Sequence, residues 1–382
     1  FNDRHLPGTD GGLRTMERAT RAIIDLSAIA SNVAAVRNII GPGRDLMAIV
    51  KADAYGHGAF EVSRTALNSG ATCLGVALPE EGEELRSHGI GVPILVLGII
   101  HPDEVSKVVR ARLEQTLCTL ETAEALDRAA KASSQKINVH IKVDTGMGRI
   151  GIAPNDAVDF AHRISRFKNL QLKGIFSHLP CADEPDKSFT CGQIKLFRDL
   201  LREIEASGIR IPQKHLANSA GILNFPESYF DLVRPGIMLY GLRPSPHMEN
   251  GVALKPAMTL KTKIAYVKQV PPGTPISYGH TFSCPREMLV ATLPIGYGDG
   301  YNRGLSNGGY AMIRNVHAPL IGRVCMDMCM FDVTDIEDVQ PGDEAVLFGT
   351  KPAVDELAHQ LDTINYEIVC SIGKRVPRIF VT

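Results

Sequence analysis

The chain has 382 residues, of which 44% are hydrophobic and 22% charged, with a formal net charge of −1. That length exceeds the size at which one core usually stops growing, so two domains are expected. A near-neutral chain without a strongly basic block offers no electrostatic footprint for nucleic acid or anionic lipid. Its longest apolar run, Gly91 to Ile100, is about half a bilayer span, so no membrane helix is expected.

Phe1–Thr20 is charged and glycine-bearing and lacks the apolar h-region of a signal peptide; it reads as a loose tail, with Met16 one candidate start. Arg21–Leu26 reads as a strand. Ser27 can cap a helix through Ile40, stopped by Gly41. The continuous apolar run Leu46–Val50 suits a strand buried on both faces and leads into Lys51-Ala-Asp-Ala-Tyr-Gly-His-Gly58. A lysine at the end of such a strand puts one amine at the mouth of a packed interior, where its charge is costly and its pKa can fall. Gly56 and Gly58 would let backbone approach a bound group.

From there strand patterns alternate with helical ones. The predicted strands are Met47–Lys51, Thr72–Ala77, Pro93–Gly98, Arg112–Leu117, Lys136–Val143, Leu170–Ser177, Lys214–Ala217 and Asp231–Arg234. Helical spacing occupies Glu80–His88, Glu121–Ser133, Asn155–Ser165 and Asp186–Ser207, and Pro226 limits the last connection to a turn or two. Eight such units predict a closed (β/α)8 TIM-type barrel, with an open doubly wound sheet as competitor; no GxGxxG follows the first of these strands. Barrel chemistry gathers at the C-terminal ends of the strands, and there stand Lys51, Lys142 with Arg149, His178, His215 to Ser219, and Arg234. Past Lys255 the pattern becomes strands separated by Pro271-Pro-Gly273 and Pro341-Gly-Asp343. The predicted division is thus a tail (1–20), a barrel (21–255) and a mostly β C-terminal domain (256–382). The eight cysteines have no CxxC or zinc spacing, so no metal is expected and a reducing cytoplasm fits. Cys325 and Cys329 read as packed thiols.

The stretch from Lys51 to Gly58 resembles the cofactor-lysine motif of the alanine racemase family, enzymes that use pyridoxal 5′-phosphate (PLP), and later stretches match in family order from Ile23 to the end. The resemblance implies a PLP enzyme that takes the Cα proton of alanine from one face and returns one to the other, supplying D-alanine for cell-wall peptidoglycan. Lys51 would hold PLP and act as one base. Tyr278, in Ile276-Ser-Tyr-Gly-His-Thr281, would be the other; a phenol with a pKa of about 10 needs nearby cations to serve as a base, and in the family the residues matching Arg149 and His178 lie near it.

The resemblance also makes Arg234, supported by His215, the partner of the pyridine nitrogen. An arginine cannot accept a proton, so the ring stays a weaker electron sink, which suits racemisation over transamination. Tyr55, Ser219 and the backbone of Gly236 and Ile237 match the phosphate cradle, and His178 belongs to the same cofactor set. Arg149, Met326 and Tyr297 match the substrate pocket; Lys142 and Asp327 are supporting, Lys142 at a position carbamylated in some members. Lys374 stands where several relatives carry a tyrosine near the phosphate. In the family the second base comes from a partner subunit, so a homodimer with shared sites is implied. An amino-acid decarboxylase on the same plan would hold the ring nitrogen with a carboxylate, and a PLP-storing barrel would lack the β domain. Serine or broad-specificity racemisation is the alternative.

Overall fold

The computed structural model describes residues 18–246, 248 and 251–382; most of the expected tail, Met16 included, lies outside them. Its described end is anchored. Arg18 bonds Asp299 at 2.8 Å, and Thr20 Oγ1 lies 2.8 Å from Thr262 Oγ1 and 2.7 Å from the Pro294 carbonyl.

Eight parallel strands close the barrel. They are β2 (Asp45–Ile49), β3 (Cys73–Val76), β4 (Ile94–Val96), β5 (Glu114–Leu117), β6 (Ile137–Lys142), β7 (Leu170–Phe176), β8 (Gln213–His215) and β9 (Leu232–Val233). Closure joins β2 to β9, with Leu46 opposite Val233. β3 to β5 are buried at every position, as strands covered on both faces must be. All eight expected strands are present, generally shorter than their apolar runs. Lys51 therefore does not end a strand: β2 stops at Ile49, and after Val50 the lysine opens the next element, Lys51–Gly56.

The strand β1 (Arg21–Asp25) is not part of the barrel. It pairs antiparallel with β10 (Met258–Lys263) and parallel with β19 (Arg378–Val381), inside a nine-stranded sheet of the C-terminal domain. Ala22 and Ile24 are fully buried there. The following helix, Leu26–Ile40, starts one residue before Ser27; Asp25 caps it, accepting from Ala28 N at 2.9 Å, and Ser27 Oγ braces Asp25 at 2.6 Å. Asn32, buried on this helix, donates to the Leu239 and Lys255 carbonyls at 3.0 and 2.9 Å and accepts from Lys255 N at 2.8 Å. It ties the end of the barrel to the start of the β domain.

In that domain the apolar stretches break where the chain must turn. Met258–Val270 divides into β10 and β11 (Tyr266–Val270). Tyr278 sits in one 3-10 turn, where Ser277, Gly279 and His280 all have positive φ. Among the described residues, no helix is long and apolar enough to cross a membrane.

Candidate active site

A cavity of about 420 Å³ opens at the C-terminal ends of the barrel strands, a volume suited to a small ligand. Lys51 lines it from an unusual piece of backbone. Ala52, Asp53, Ala54 and Tyr55 all have φ of 52° or 53°, a left-handed turn built without glycine, which costs about 1–2 kcal/mol per residue against the right-handed form. Local bonds hold it: Ala54 N to Val50 O and Gly58 N to Asp53 O, both 2.9 Å, Ala59 N to Asp53 Oδ1 at 2.8 Å, and Ala52 N to Glu81 Oε1 at 2.6 Å. The turn drives the Tyr55 ring inward, stacked on Tyr240 with centroids 4.9 Å apart. Gly56 and Gly58, expected to let backbone approach a bound group, instead face the C-terminal domain. A Cβ at Gly56 would meet the Val369 carbonyl at 2.5 Å and one at Gly58 the Phe380 ring at 2.7 Å, so these glycines admit the C-terminal domain.

Burial, and then the Arg149 charge, lower the Lys51 pKa below its ordinary 10.5, which leaves more of the amine in the nucleophilic, basic form. Lys142 is buried more deeply, and burial together with Arg234 brings its pKa down to about 7. His178 is held neutral, its pKa well below 6.5, by burial and then by Arg234, Lys142, Arg149 and Lys51. It is therefore not one of the cations a phenolate would need. Asp144 shapes the loop that carries Arg149, accepting from the amides of Gly146 and Met147 at 2.9 and 2.8 Å and of Gly148 at 2.9 Å.

Arg234 lines the same cavity as Lys51 and is buried and fixed. Nη1 meets His215 Nδ1 at 2.9 Å, and Nη2 donates to the Ser177 and Leu216 carbonyls at 2.8 and 3.0 Å. Three of its five N–H groups are spent on the protein. Burial brings its pKa to about 9, so it remains a cation and a pure donor. Beside it, Gly236 N donates to Ser219 Oγ at 2.9 Å, and a Cβ at Gly236 would meet Tyr55 Oη at 2.7 Å. Backbone amide, hydroxyl and phenol thus converge where no side chain at 236 could fit, next to Ile237. That is the donor set an anionic ester group requires, and with Lys51 and Arg234 in one wall the residues fit PLP.

Tyr278, Tyr297 and Met326 are absent from this wall. They are exposed (70, 44 and 53%) on the β domain. Their loops meet at Cys325: Ser277 Oγ lies 3.4 Å from its sulfur, and Tyr297 N donates to its carbonyl at 3.0 Å. Asp327 lies on the same segment and binds Arg375 at 2.6 Å. The expected site residues therefore form two groups, one in the barrel mouth and one on an exposed face.

Three polar or ionisable residues of the cavity wall, Asn218, Tyr366 and Cys370, had no role assigned from the sequence. Asn218 caps the short helix after β8, accepting from Gly221 N at 2.9 Å, and Tyr366 and Cys370 come from the helix Asn365–Cys370. Six residues are too few to show a helical period. Lys374 is exposed and outside the cavity; the aromatic ring that enters it near Tyr55 is Tyr366, with centroids 5.8 Å apart.

The description "Alanine racemase, N-terminal domain" matches residues 24–244, and "Alanine racemase, C-terminal domain" matches residues 257–380. An alanine racemase of Halothermothrix orenii is 48% identical over 369 residues, covering 96% of this chain and 97% of that protein. One of Desulforamulus reducens is 46% identical, covering 96% and 100%. The solved alanine racemase of Clostridium difficile 630 superposes with a TM-score of 0.93 at 36% identity, covering 96% and 97%. The Bacillus anthracis alanine racemase with bound L-Ala-P superposes at 0.91 and 35% identity, covering 96% of each chain.

Proposed function

The chain belongs to the alanine racemase family, and from that premise we propose how its own residues interconvert L-alanine and D-alanine. The observation that carries the reading is the meeting of Lys51, Arg149, His178, Ser219 and Arg234 around one cavity at the barrel's C-terminal end. PLP, when bound, supplies the electron sink that lets a weakly acidic Cα proton leave. Lys51 Nζ would hold it, Tyr55 Oη, Ser219 Oγ and the Gly236–Ile237 backbone would hold its phosphate, and the free N–H groups of Arg234 would face the ring nitrogen.

Lys51 Nζ, when free, takes or returns the Cα proton on one face of the substrate. Tyr278 Oη does so on the other, brought by a partner subunit; its exposure outside its own cavity supports that placement. Arg149 binds the carboxylate and its charge favours the phenolate. Tyr297 and Met326, on the same exposed face as Tyr278, would bound the substrate from the partner's side. Lys142 matches a position that some relatives carbamylate, and an amine with a pKa near 7 is the unprotonated nucleophile that reaction needs. A cytoplasmic enzyme supplying D-alanine for peptidoglycan is the corresponding role, and eight unpaired cysteines are in keeping with it. An arginine rather than a carboxylate beside the ring weighs against a decarboxylase.

Deuterium incorporation at Cα of each alanine enantiomer in heavy water, repeated with serine, tests the reading. Both alanine enantiomers are expected to exchange, and faster than serine. Lys51→Ala should lose both exchange and the cofactor's visible absorbance. Tyr278→Phe should keep the absorbance and impair proton removal from L-alanine far more than from D-alanine. Normal exchange of both enantiomers by Tyr278→Phe would remove that residue from the mechanism.

A further inference from the structure

A polar line crosses the inside of the barrel, where layers of branched aliphatic side chains are the rule. From Arg234 Nη1 it runs 2.9 Å to His215 Nδ1, then from His215 Nε2 3.0 Å to His140 Nδ1, then from His140 Nε2 3.0 Å to Glu114 Oε2. The other Glu114 oxygen accepts from Asn138 Nδ2 at 2.7 Å. Both imidazoles are fully buried, and Arg234 and Glu114 nearly so. The fold makes room for them. A Cβ at Gly174 would collide with the His140 ring, and Phe176 lies flat on His215, centroids 4.6 Å apart and planes 6° from parallel. A buried polar group left unpaired costs about 1–3 kcal/mol, so such a line is tolerable only with every link made.

The direction of every link follows from counting hydrogens. Arg234 can only donate, so His215 Nδ1 accepts and the His215 hydrogen sits on Nε2. That N–H meets His140 Nδ1, which must be bare, so the His140 hydrogen sits on Nε2 and points at Glu114. An imidazolium at His140 would force His215 to accept at both nitrogens and carry no hydrogen at all. Both rings are therefore neutral and in the same tautomer. The Glu114 carboxylate, which can only accept, fixes that order from the far end.

We propose that Glu114 and His140 are positioning residues for the racemase: by fixing the tautomer of His215 they hold the Arg234 guanidinium in place as a donor in the cavity wall. Glu114 itself lies at the opposite end of the barrel from Lys51, lining a separate cavity of about 570 Å³ beside Arg86 and Arg112. The consequence for turnover rests on the function proposed above; the tautomer assignment does not.

The test is nitrogen NMR of the holoenzyme with 15N-labelled histidine. His215 and His140 are each expected to show a bare Nδ1 and a protonated Nε2. Glu114→Gln can donate as well as accept, so the order can reverse. Its His215 signals should shift toward a mixture of tautomers, with kcat for alanine falling roughly tenfold and KM little changed. A hydrogen on His215 Nδ1 in the unaltered protein overturns the proposal, even if the variant fails to fold. So does a Glu114→Gln protein with unchanged His215 signals and full kcat. A holoprotein with the expected tautomers but no alanine exchange would overturn the racemase reading and leave the tautomer assignment standing.

Discussion

Lys142 shows what a single buried amine does to the energetics of this site. Its pKa is about 7 in the folded chain against 10.5 when exposed. Between those values the unfolded chain holds a proton that the folded chain has released, so stability rises with pH across the window, while below about pH 7 the cost of burying the charge is present in full. In CO2-free buffer, the urea midpoint is therefore expected to increase from pH 7 toward pH 9.5, and Lys142→Met should flatten that increase; an equal rise in both proteins would rule Lys142 out as its source. The identities of Lys51, Arg149 and Arg234 were legible because the local motif states them. The neutrality of His178 was not, since it comes first from burial and then from four basic side chains, and only the closed barrel supplies either. Gly56 and Gly58 misled for a related reason: a glycine declares that something comes close, and only the fold says that it is the Val369 carbonyl and the Phe380 ring.

At the level of elements, strand-like stretches located all eight barrel strands; some, as at Cys73–Val76 and Ile94–Val96, are the apolar runs that burial on both faces favours, whereas Glu114–Leu117 and Gln213–His215 are largely polar. Lengths were overstated, since residues at the strand mouths are apolar for packing without joining the ladder. What the runs could not reveal was partnership: β1 reads like any strand before a barrel, yet hydrogen-bonds to β10 and β19. The helix Leu26–Ile40 holds that junction through Asn32, whose amide serves three backbone groups at once. Asn32→Ala leaves them unpaired and is expected to cost about 2–4 kcal/mol, read as a lower urea midpoint. Cofactor absorbance per folded molecule should be retained, because Asn32 touches none of the cavity wall. A midpoint within experimental scatter of the unaltered protein would show that water takes over these bonds.

On the scale of the whole molecule, the proposed supply of Tyr278 by a partner subunit can be tested with two variants. Lys51→Ala and Tyr278→Phe proteins should each be nearly inactive in the L-to-D direction. Mixed, dissociated and reassembled in equal amounts, they should recover about a quarter of full activity: half the dimers are hybrids, and each hybrid has one intact site of two. No recovery, with hybrids demonstrated by mass, would put both bases on one chain. Dilution to folded monomer should likewise abolish turnover while PLP stays bound.

The pairing of β1 between β10 and β19 also governs the order in which the polypeptide can mature. On a ribosome the barrel strands emerge in sequence, and each one after β2 finds a neighbour already made. The earliest segment must instead wait, its apolar face uncovered, until β10 and then β19 have been synthesised. The seam that β1 begins is thus closed only once β19 has been made, and the period of exposure is set by the time needed to make everything between them.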